Sequence, residues 1–381
     1  MLNRLKPKFL RKSIPITAPE GESEIEAASQ WKLMWWKFRK SRLAVIGLFV
    51  VIFTYFLALT CEFFAPKPAI WYDDKYVFAP PQALWLFHNG KFNPFVYAYK
   101  FERDPQSFKR LFSVDHDKRI PVGLFVKGEK YKLFGLIPTN IHLFGSKNPK
   151  DPFFLLGADK IGRDILSRII YSTRISLTIG LVGVTISLVI GIIMGGISGL
   201  VGGVVDLIIQ RIIEILITIP QVPILLAIAA AVPIGWGPTQ VYLMICVILS
   251  LVGWTGMARV VRGRFLALRT EDFILAARLD GASQMRLVGK HMLPSFFSHI
   301  IASMTLAIPY MILNETFFSF LGVGLRPPAV SWGVMLQDTR QIVTVAAYPW
   351  LLYPAIAVVI VVLAMNFMGN GLRDAADPYA T

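Results

Sequence analysis

The chain has 381 residues, 55% of them hydrophobic and 17% charged, with a formal net charge of +15. Average soluble domains carry about 25% charged residues, and here the deficit is concentrated in long charge-free runs, which argues against a soluble globular enzyme and excludes a disordered chain. The basic excess lies in three separate segments with no nucleic-acid motif joining them, so it reads as membrane topology and lipid contact, with no nucleic acid as partner.

In chain order, residues 1–42 form a basic N-terminal segment ending in an interfacial anchor of Trp31, Lys32, Trp35, Trp36, Lys37, Arg39, Lys40 and Arg42. A first membrane span follows over 43–65, since a run of about 20 apolar residues crosses a hydrocarbon core of about 30 Å. It begins too late and runs too long for a cleaved signal peptide. Cys61 near its end and Cys246 are the two cysteines. Both sit in apolar segments, so neither a disulfide framework nor a metal cluster is expected.

Residues 66–154 are polar, aromatic and interrupted by proline. Within them Val122 to Ile137 reads as a β-hairpin, with Leu124-Phe125-Val126 and Tyr131-Lys132-Leu133-Phe134 flanking a Lys-Gly-Glu-Lys turn. A small folded insert is expected, touching a partner on its face of the membrane, lining the outer mouth, or merely decorating it.

A core over 155–372 holds five further spans, at about 175–200, 204–232, 239–258, 297–324 and 348–370. The break between the third and fourth is set by Gly235-Trp236-Gly237-Pro238. Six spans put both termini on one side. Met1 to Arg42 carries ten Lys/Arg against four Asp/Glu, and Arg259 to Lys290 carries seven against three. Both therefore face the cytoplasm, and the fourteen Lys/Arg of Pro66 to Pro152 lie outside, where long loops escape the charge rule. Residues 373–381 form a cytoplasmic tail.

Several residues inside the spans carry expectations. Gly191, Gly195, Gly196 and Gly199 permit close helix packing. Arg211 and Glu214, spaced i, i+3 beyond Asp206, are placed to pair. Pro220, Pro223, Pro309 and Pro354 should kink or break helices. Glu315, beside Asn314, is an ionisable group deep in a span; such groups face a cavity or a partner, or are held by hydrogen bonds as packing residues. Asn314 and Glu315 are the candidate translocation-pathway residues.

The cytoplasmic segment 259–295 contains Glu271-Asp272-Phe273-Ile274-Leu275-Ala276-Ala277-Arg278-Leu279-Asp280-Gly281-Ala282-Ser283, and later His291-Met292-Leu293-Pro294. This predicts a helix with acids at its N-terminus, a glycine turn, and a second short helix ended before Pro294. A rigid helical elbow facing the cytoplasm is a docking element.

The spacing Ala-Ala-x-x-x-Gly, nine residues, then His-x-Leu-Pro resembles the coupling-loop signature of ABC importer permeases. Ala276, Ala277, Gly281, Leu293 and Pro294 match it, while Leu275 stands where the family commonly has Glu and His291 where it commonly has Ile. Leu156 to Arg168, Arg174 to Leu177, Phe320 to Pro328 with Ser331-Trp332-Gly333, and Gly371 to Asp374 with Asp377-Pro378 are similar to segments of dipeptide and oligopeptide permeases. The insert matches no such segment.

The resemblance implies an all-α membrane protein of six transmembrane helices, of the type I importer permease class, in a bacterial inner membrane. It implies a second homologous permease subunit, two ATPase subunits, an extracytoplasmic substrate-binding protein and a peptide substrate. Ala276, Ala277, Asp280, Gly281, His291, Leu293 and Pro294 would form the ATPase-coupling loop. The sequence contains no Walker A, His-Glu-x-x-His or Gly-x-Ser-x-Gly motif, so no catalytic residue, metal or cofactor is expected. Nickel, glutathione or another small solute is the alternative cargo; an intramembrane enzyme or a non-transporting scaffold are the readings outside transport.

Overall fold

A computed structural model describes residues 30–106, 110–233 and 235–376. The expectations for residues 1–29 and for the tail from Asp377 onward lie outside the described residues.

The first helix, α1 (Gln30–Lys40), buries Met34 and Phe38 and exposes Trp31 and Trp35, with Lys37, Arg39 and Lys40 in its last turn. Ser41 separates it from α2 (Arg42–Leu59) and caps the latter, its hydroxyl accepting from the Ala44 amide at 3.4 Å. A short helical turn, Cys61–Phe64, closes this segment.

The insert is a four-stranded antiparallel sheet in the order β1 (Leu84–His88), β2 (Lys91–Arg103), β3 (Arg110–Leu133), β4 (Ile137–Ser146). Its small core is Val96, Ala98, Ile120, Val122 and Phe153. The predicted turn at Lys127-Gly128-Glu129-Lys130 is corrected: these residues lie within β3, the register merely shifting between Lys127 and Tyr131, and the chain reverses at Phe134-Gly135-Leu136. Gly128 serves close approach instead of reversal. A Cβ there would fall 2.5 Å from the His142 ring, which lies across the strand and bonds the carbonyls of Ala65 and Glu129.

Helix α3 (Ile165–Val201) starts well before the expected residue 175, capped by the Asp164 carboxylate on the Ser167 amide at 2.8 Å. The charges that hydropathy treats as a boundary are paired within the fold. Arg168 bonds Asp159, and Arg174 bonds Glu62 at 2.7 and 2.8 Å. The predicted span 204–232 is divided into α4 (Gly203–Thr218) and α5 (Gln221–Ala230). Ile219 is extended, as a residue before proline must commonly be, and Pro220 ends the ladder. Arg211 and Glu214 do pair, at 2.8 Å on an exposed face.

Helix α6 (Pro238–Leu268) runs on past 258 through Arg259, Arg262 and Arg264. After the elbow come α8 (Phe297–Phe320) and α9 (Tyr353–Ala376), with the elbow helix α7 (Asp272–Leu279) between α6 and α8. Pro309 is accommodated inside α8, and Pro223 and Pro354 sit in first turns, where a missing N–H leaves no bond unmade. Among the described residues five helices, not six, are long and apolar enough to cross a membrane: Arg42–Leu59, Ile165–Val201, Pro238–Leu268, Phe297–Phe320 and Pro349–Ala376. The fold is mostly helical.

The helices pack as the small residues allow. α3 lies along α6, where a Cβ at Gly191 would meet Met257 at 2.7 Å and one at Gly199 would meet Phe265 at 2.8 Å. One core joins Ile179, Val184, Ile245, Leu249, Met311 and Phe318; another joins Val51, Leu177, Ile312, Trp332, Val361 and Met365, setting α2 and α9 against α3 and α8. Exposed apolar rows such as Val189 and Ile193 on α3, or Val359 and Leu363 on α9, face outward where lipid replaces water.

Candidate functional site

Two features stand out, one at each end of α8: the elbow that precedes it and a buried acid near its C-terminal end. The first is the elbow. Glu271 is extended and its carbonyl accepts from the amides of Ile274 and Leu275, both at 3.0 Å, which starts α7 with Asp272 in the first turn. The helix ends in a Schellman turn. The Ala282 amide bonds the Ala277 carbonyl at 3.0 Å, and the Gly281 amide bonds the Arg278 carbonyl at 3.1 Å. Gly281 has φ +78°, the left-handed region in which a side chain is strained. Ser283 then caps the return helix by accepting from the Arg286 amide at 3.4 Å.

That return helix is not ended before Pro294, as the sequence suggests. It continues through a π turn at Leu287–Met292 into Leu293–Ser295. The Leu293 amide reaches back five residues to Val288. The wider turn opens the backbone ladder just where Pro294, lacking an N–H, would break an α-helix.

The elbow is held to the bundle by an apolar underside. Ile274, Leu287, Met292 and Phe296 pack with Val261 and Phe265, the Phe265 and Phe296 rings meeting edge to face at 5.7 Å. Of the predicted coupling residues, Ala276, Asp280, Gly281 and Pro294 are exposed. Ala277, His291 and Leu293 are half-buried, Ala277 and Leu293 against that underside. The adjacent alanines thus play different parts, Ala277 closing the turn against Ala282 and Ala276 facing out.

The sequence reading missed the elbow's exposed apolar residues: Leu279 is 89% and Met285 83% exposed, and Phe273 and Leu275 are exposed too. For α7 the signal is in the sequence: consecutive Phe273-Ile274-Leu275 cannot all point to one side of a helix with 3.6 residues per turn, and the structure buries only Ile274.

The second feature surrounds Glu315. Its carboxylate is fully buried on α8 and accepts hydroxyl hydrogen bonds from Ser319 and Ser331, each at 2.8 Å, and from Ser176 of α3 at 3.4 Å. The three serines pass the constraint on. Ser176 accepts from the Trp332 amide at 3.3 Å, Ser319 from the Leu325 amide at 3.0 Å, and Ser331 from the Val334 amide at 3.2 Å. Glu315 therefore ties α8, α3 and the loop after α8 together. Ser176 and Ser331 fall in segments singled out from sequence and Ser319 just before another, though nothing in the sequence linked them.

Asn314 is directed elsewhere. It borders a cavity of about 480 Å³ lined by Ser187, Arg259, Ser303 and Tyr310 among apolar residues of α3, α6 and α8. Its side-chain amide donates to the Tyr310 carbonyl at 2.9 Å. The structure thus does not bring Asn314 and Glu315 into one site. Asp206, read from sequence only as a neighbour of the Arg211–Glu214 pair, is bonded by Arg262 at 2.6 and 2.5 Å, which fastens α4 to α6. Among the described residues no group of three or more His, Cys, Asp or Glu is placed to hold a metal.

Residues 187–380 match the family described as binding-protein-dependent transport system inner membrane component, and residues 29–81 match the N-terminal TM domain of oligopeptide transport permease C. A putative peptide permease protein of Brucella ovis is 37% identical over 244 residues, 64% of this chain and 79% of the relative. The dipeptide transport system permease protein DppC of Bacillus subtilis is 38% identical over 222 residues, 58% of this chain and 68% of the relative. The glutathione transport system permease protein GsiD of Shigella flexneri is 40% identical over 222 residues, 58% and 71% of the two chains. With the elbow, the spans and these matches in agreement, the chain belongs to the inner membrane components of binding-protein-dependent transport systems, the permease subunits of ABC importers.

Proposed function

We propose that this chain is one permease of an ATP-driven importer that moves dipeptides or oligopeptides across the bacterial inner membrane. The observation that carries the reading is the elbow: a glycine-turned helix pair, rigidly packed beneath and apolar on its outer face, which suits it to receive force from another protein. In the complete complex it pairs with a second, similar permease, two ATPase subunits and an extracytoplasmic binding protein. Nucleotide is hydrolysed on the ATPases. Their closure pushes segment 259–295 and switches the bundle between outward and inward access. That switch requires the nucleotide state to bind one conformation better than the other.

In this reading α4 and α5 together form a third span kinked at Pro220, so that six spans place both termini in the cytoplasm and the 66–154 sheet outside. The cavity bordered by Asn314 is this subunit's share of the passage. Glu315 is a framework residue that holds the loop after α8 in place. The peptide assignment is supported by the names of the Brucella and Bacillus relatives.

Reconstitution of the complex with its binding protein tests both levels. Uptake and ATP hydrolysis stimulated by peptides support the whole reading. Stimulation by glutathione or nickel alone keeps the importer and replaces the cargo. ATPase subunits that never associate with the elbow overturn the importer mechanism itself.

A further inference from the structure

The insert does more than cap the bundle: its outer hairpin has apolar surface that continues the lipid-facing surface of α2. Phe56 of α2 is half exposed on the outward face of the span. Its ring meets Phe64 at 5.9 Å, Phe64 meets Phe63 at 5.5 Å, and Phe63 meets Phe125 of β3 at 6.2 Å. This aromatic chain leads from the bilayer-facing span onto the β3–β4 hairpin without interruption. Phe125 is itself 64% exposed next to exposed Leu124, and the tip of the same hairpin exposes Phe134, Leu136 and Ile137. The His142 bond to the Ala65 carbonyl, at 2.7 Å, holds the hairpin beside the end of α2.

The charge on the same hairpin has one dominant sign. Lys127, Lys130 and Lys132 are exposed, against the single acid Glu129. Apolar and aromatic side chains rimmed by lysines suit the boundary between acyl chains and headgroups, and basic residues add attraction to anionic lipid. Continuity with the exposed apolar surface of a span, together with the lysine rim, is the pattern a bilayer boundary selects.

We propose that the β3–β4 hairpin is an interfacial membrane anchor, its apolar tip resting among the headgroups and Lys127, Lys130 and Lys132 on anionic phospholipid. The sheet would thereby be braced against the bilayer while the spans move. Neither the importer reading nor the identity of the cargo is needed for this.

Because Cys61 and Cys246 are both buried, a thiol introduced by Leu136→Cys in the full complex can be labelled with a polarity-sensitive dye. Ile137→Cys serves as a second, independent position. The complexes are placed in vesicles of phosphatidylethanolamine and phosphatidylglycerol, with or without headgroup-level nitroxide lipid. Blue-shifted emission, quenching by the nitroxide lipid and shielding from aqueous iodide are expected at both positions. Changing Lys127, Lys130 and Lys132 to Gln, or using phosphatidylcholine vesicles, should reduce the quenching, since each lysine near an anionic surface is worth roughly a factor of five. Water-like emission with full iodide access in both vesicle types overturns the proposal. Shielding that appears only when the binding protein is added also overturns it, and makes the hairpin a protein-docking surface.

Discussion

The Glu315 carboxylate and the Ser331 hydroxyl lie 2.8 Å apart, joining the C-terminal part of α8 to a loop sixteen residues further along the chain. Both groups are buried, and Ser331 also starts the short helix Trp332–Leu336, so one acid fixes where Trp332 enters the core. Glu315→Ala leaves the hydroxyls of Ser176, Ser319 and Ser331 without their acceptor, and an orphaned buried donor costs about 1–3 kcal/mol. A lower midpoint in thermal unfolding of the purified complex is expected, with substrate preference unchanged in the milder Glu315→Gln. A shifted preference in Glu315→Gln would instead give the acid a part in binding cargo.

Gly281→Val places a branched side chain at φ +78°. The left-handed region costs about 1–2 kcal/mol for ordinary residues and more for branched ones. Since Gly281 is exposed, with open space around its missing Cβ, the spans should assemble normally. The expected result is membrane insertion at wild-type level with transport and peptide-stimulated ATP hydrolysis sharply reduced. Gly281→Asn, tolerated better at positive φ, should retain more of both.

Leu279 and Met285 bury almost nothing in this chain, so Leu279→Asp and Met285→Asp should leave its unfolding midpoint within error. If they form the contact with the ATPase subunits, losing an apolar anchor at the centre of an interface costs about 2 kcal/mol or more. Co-purification of the ATPase subunits should fall accordingly, by roughly thirtyfold in affinity. Unchanged co-purification would remove the apolar outer face from the coupling contact.

Asp164, buried at the N-terminus of α3, should leave a mark in the pH dependence of stability. Burial pushes its carboxyl up to about 6, although the Ser167 amide bonds it, against about 3.9 for a free aspartate. The folded state therefore holds its proton where the unfolded state has lost it, and stability falls as pH rises from about 4 to about 6. Above that window the ionised group is a burden in the folded state. Asp164→Asn keeps a capping oxygen but cannot ionise. Its unfolding midpoint should decline less than that of the wild type between pH 4.5 and pH 7, and equal slopes would refute the assignment.

Much of the architecture was legible because membranes impose a coarse rule. Charge-free stretches near 20 residues long announce spans, and the Gly281 turn announces itself by spacing. The errors share one cause. A charge-free criterion starts the second span at 175, just after Arg174, and reads Lys127 to Lys130 as a turn, because composition treats a charge as solvent-bound. Glu62, 112 residues away, pairs with Arg174, and His142 fills the space beside Gly128. Partners separated by many residues have no local signature.

Sequence alone determined that the chain crosses a membrane repeatedly, that its basic elbow has a helix–glycine–helix form, and that a polar insert interrupts the spans. Those are properties of periodicity, length and backbone conformation, which act over neighbouring residues. Only the tertiary structure decided that Glu315 is held by three serines from separate segments, that Asn314 borders a cavity, that Ala276 faces out while Ala277 closes a turn, and that the insert's hairpin prolongs the apolar surface of α2. These depend on which helix faces meet, and that is settled by packing between residues far apart in the chain.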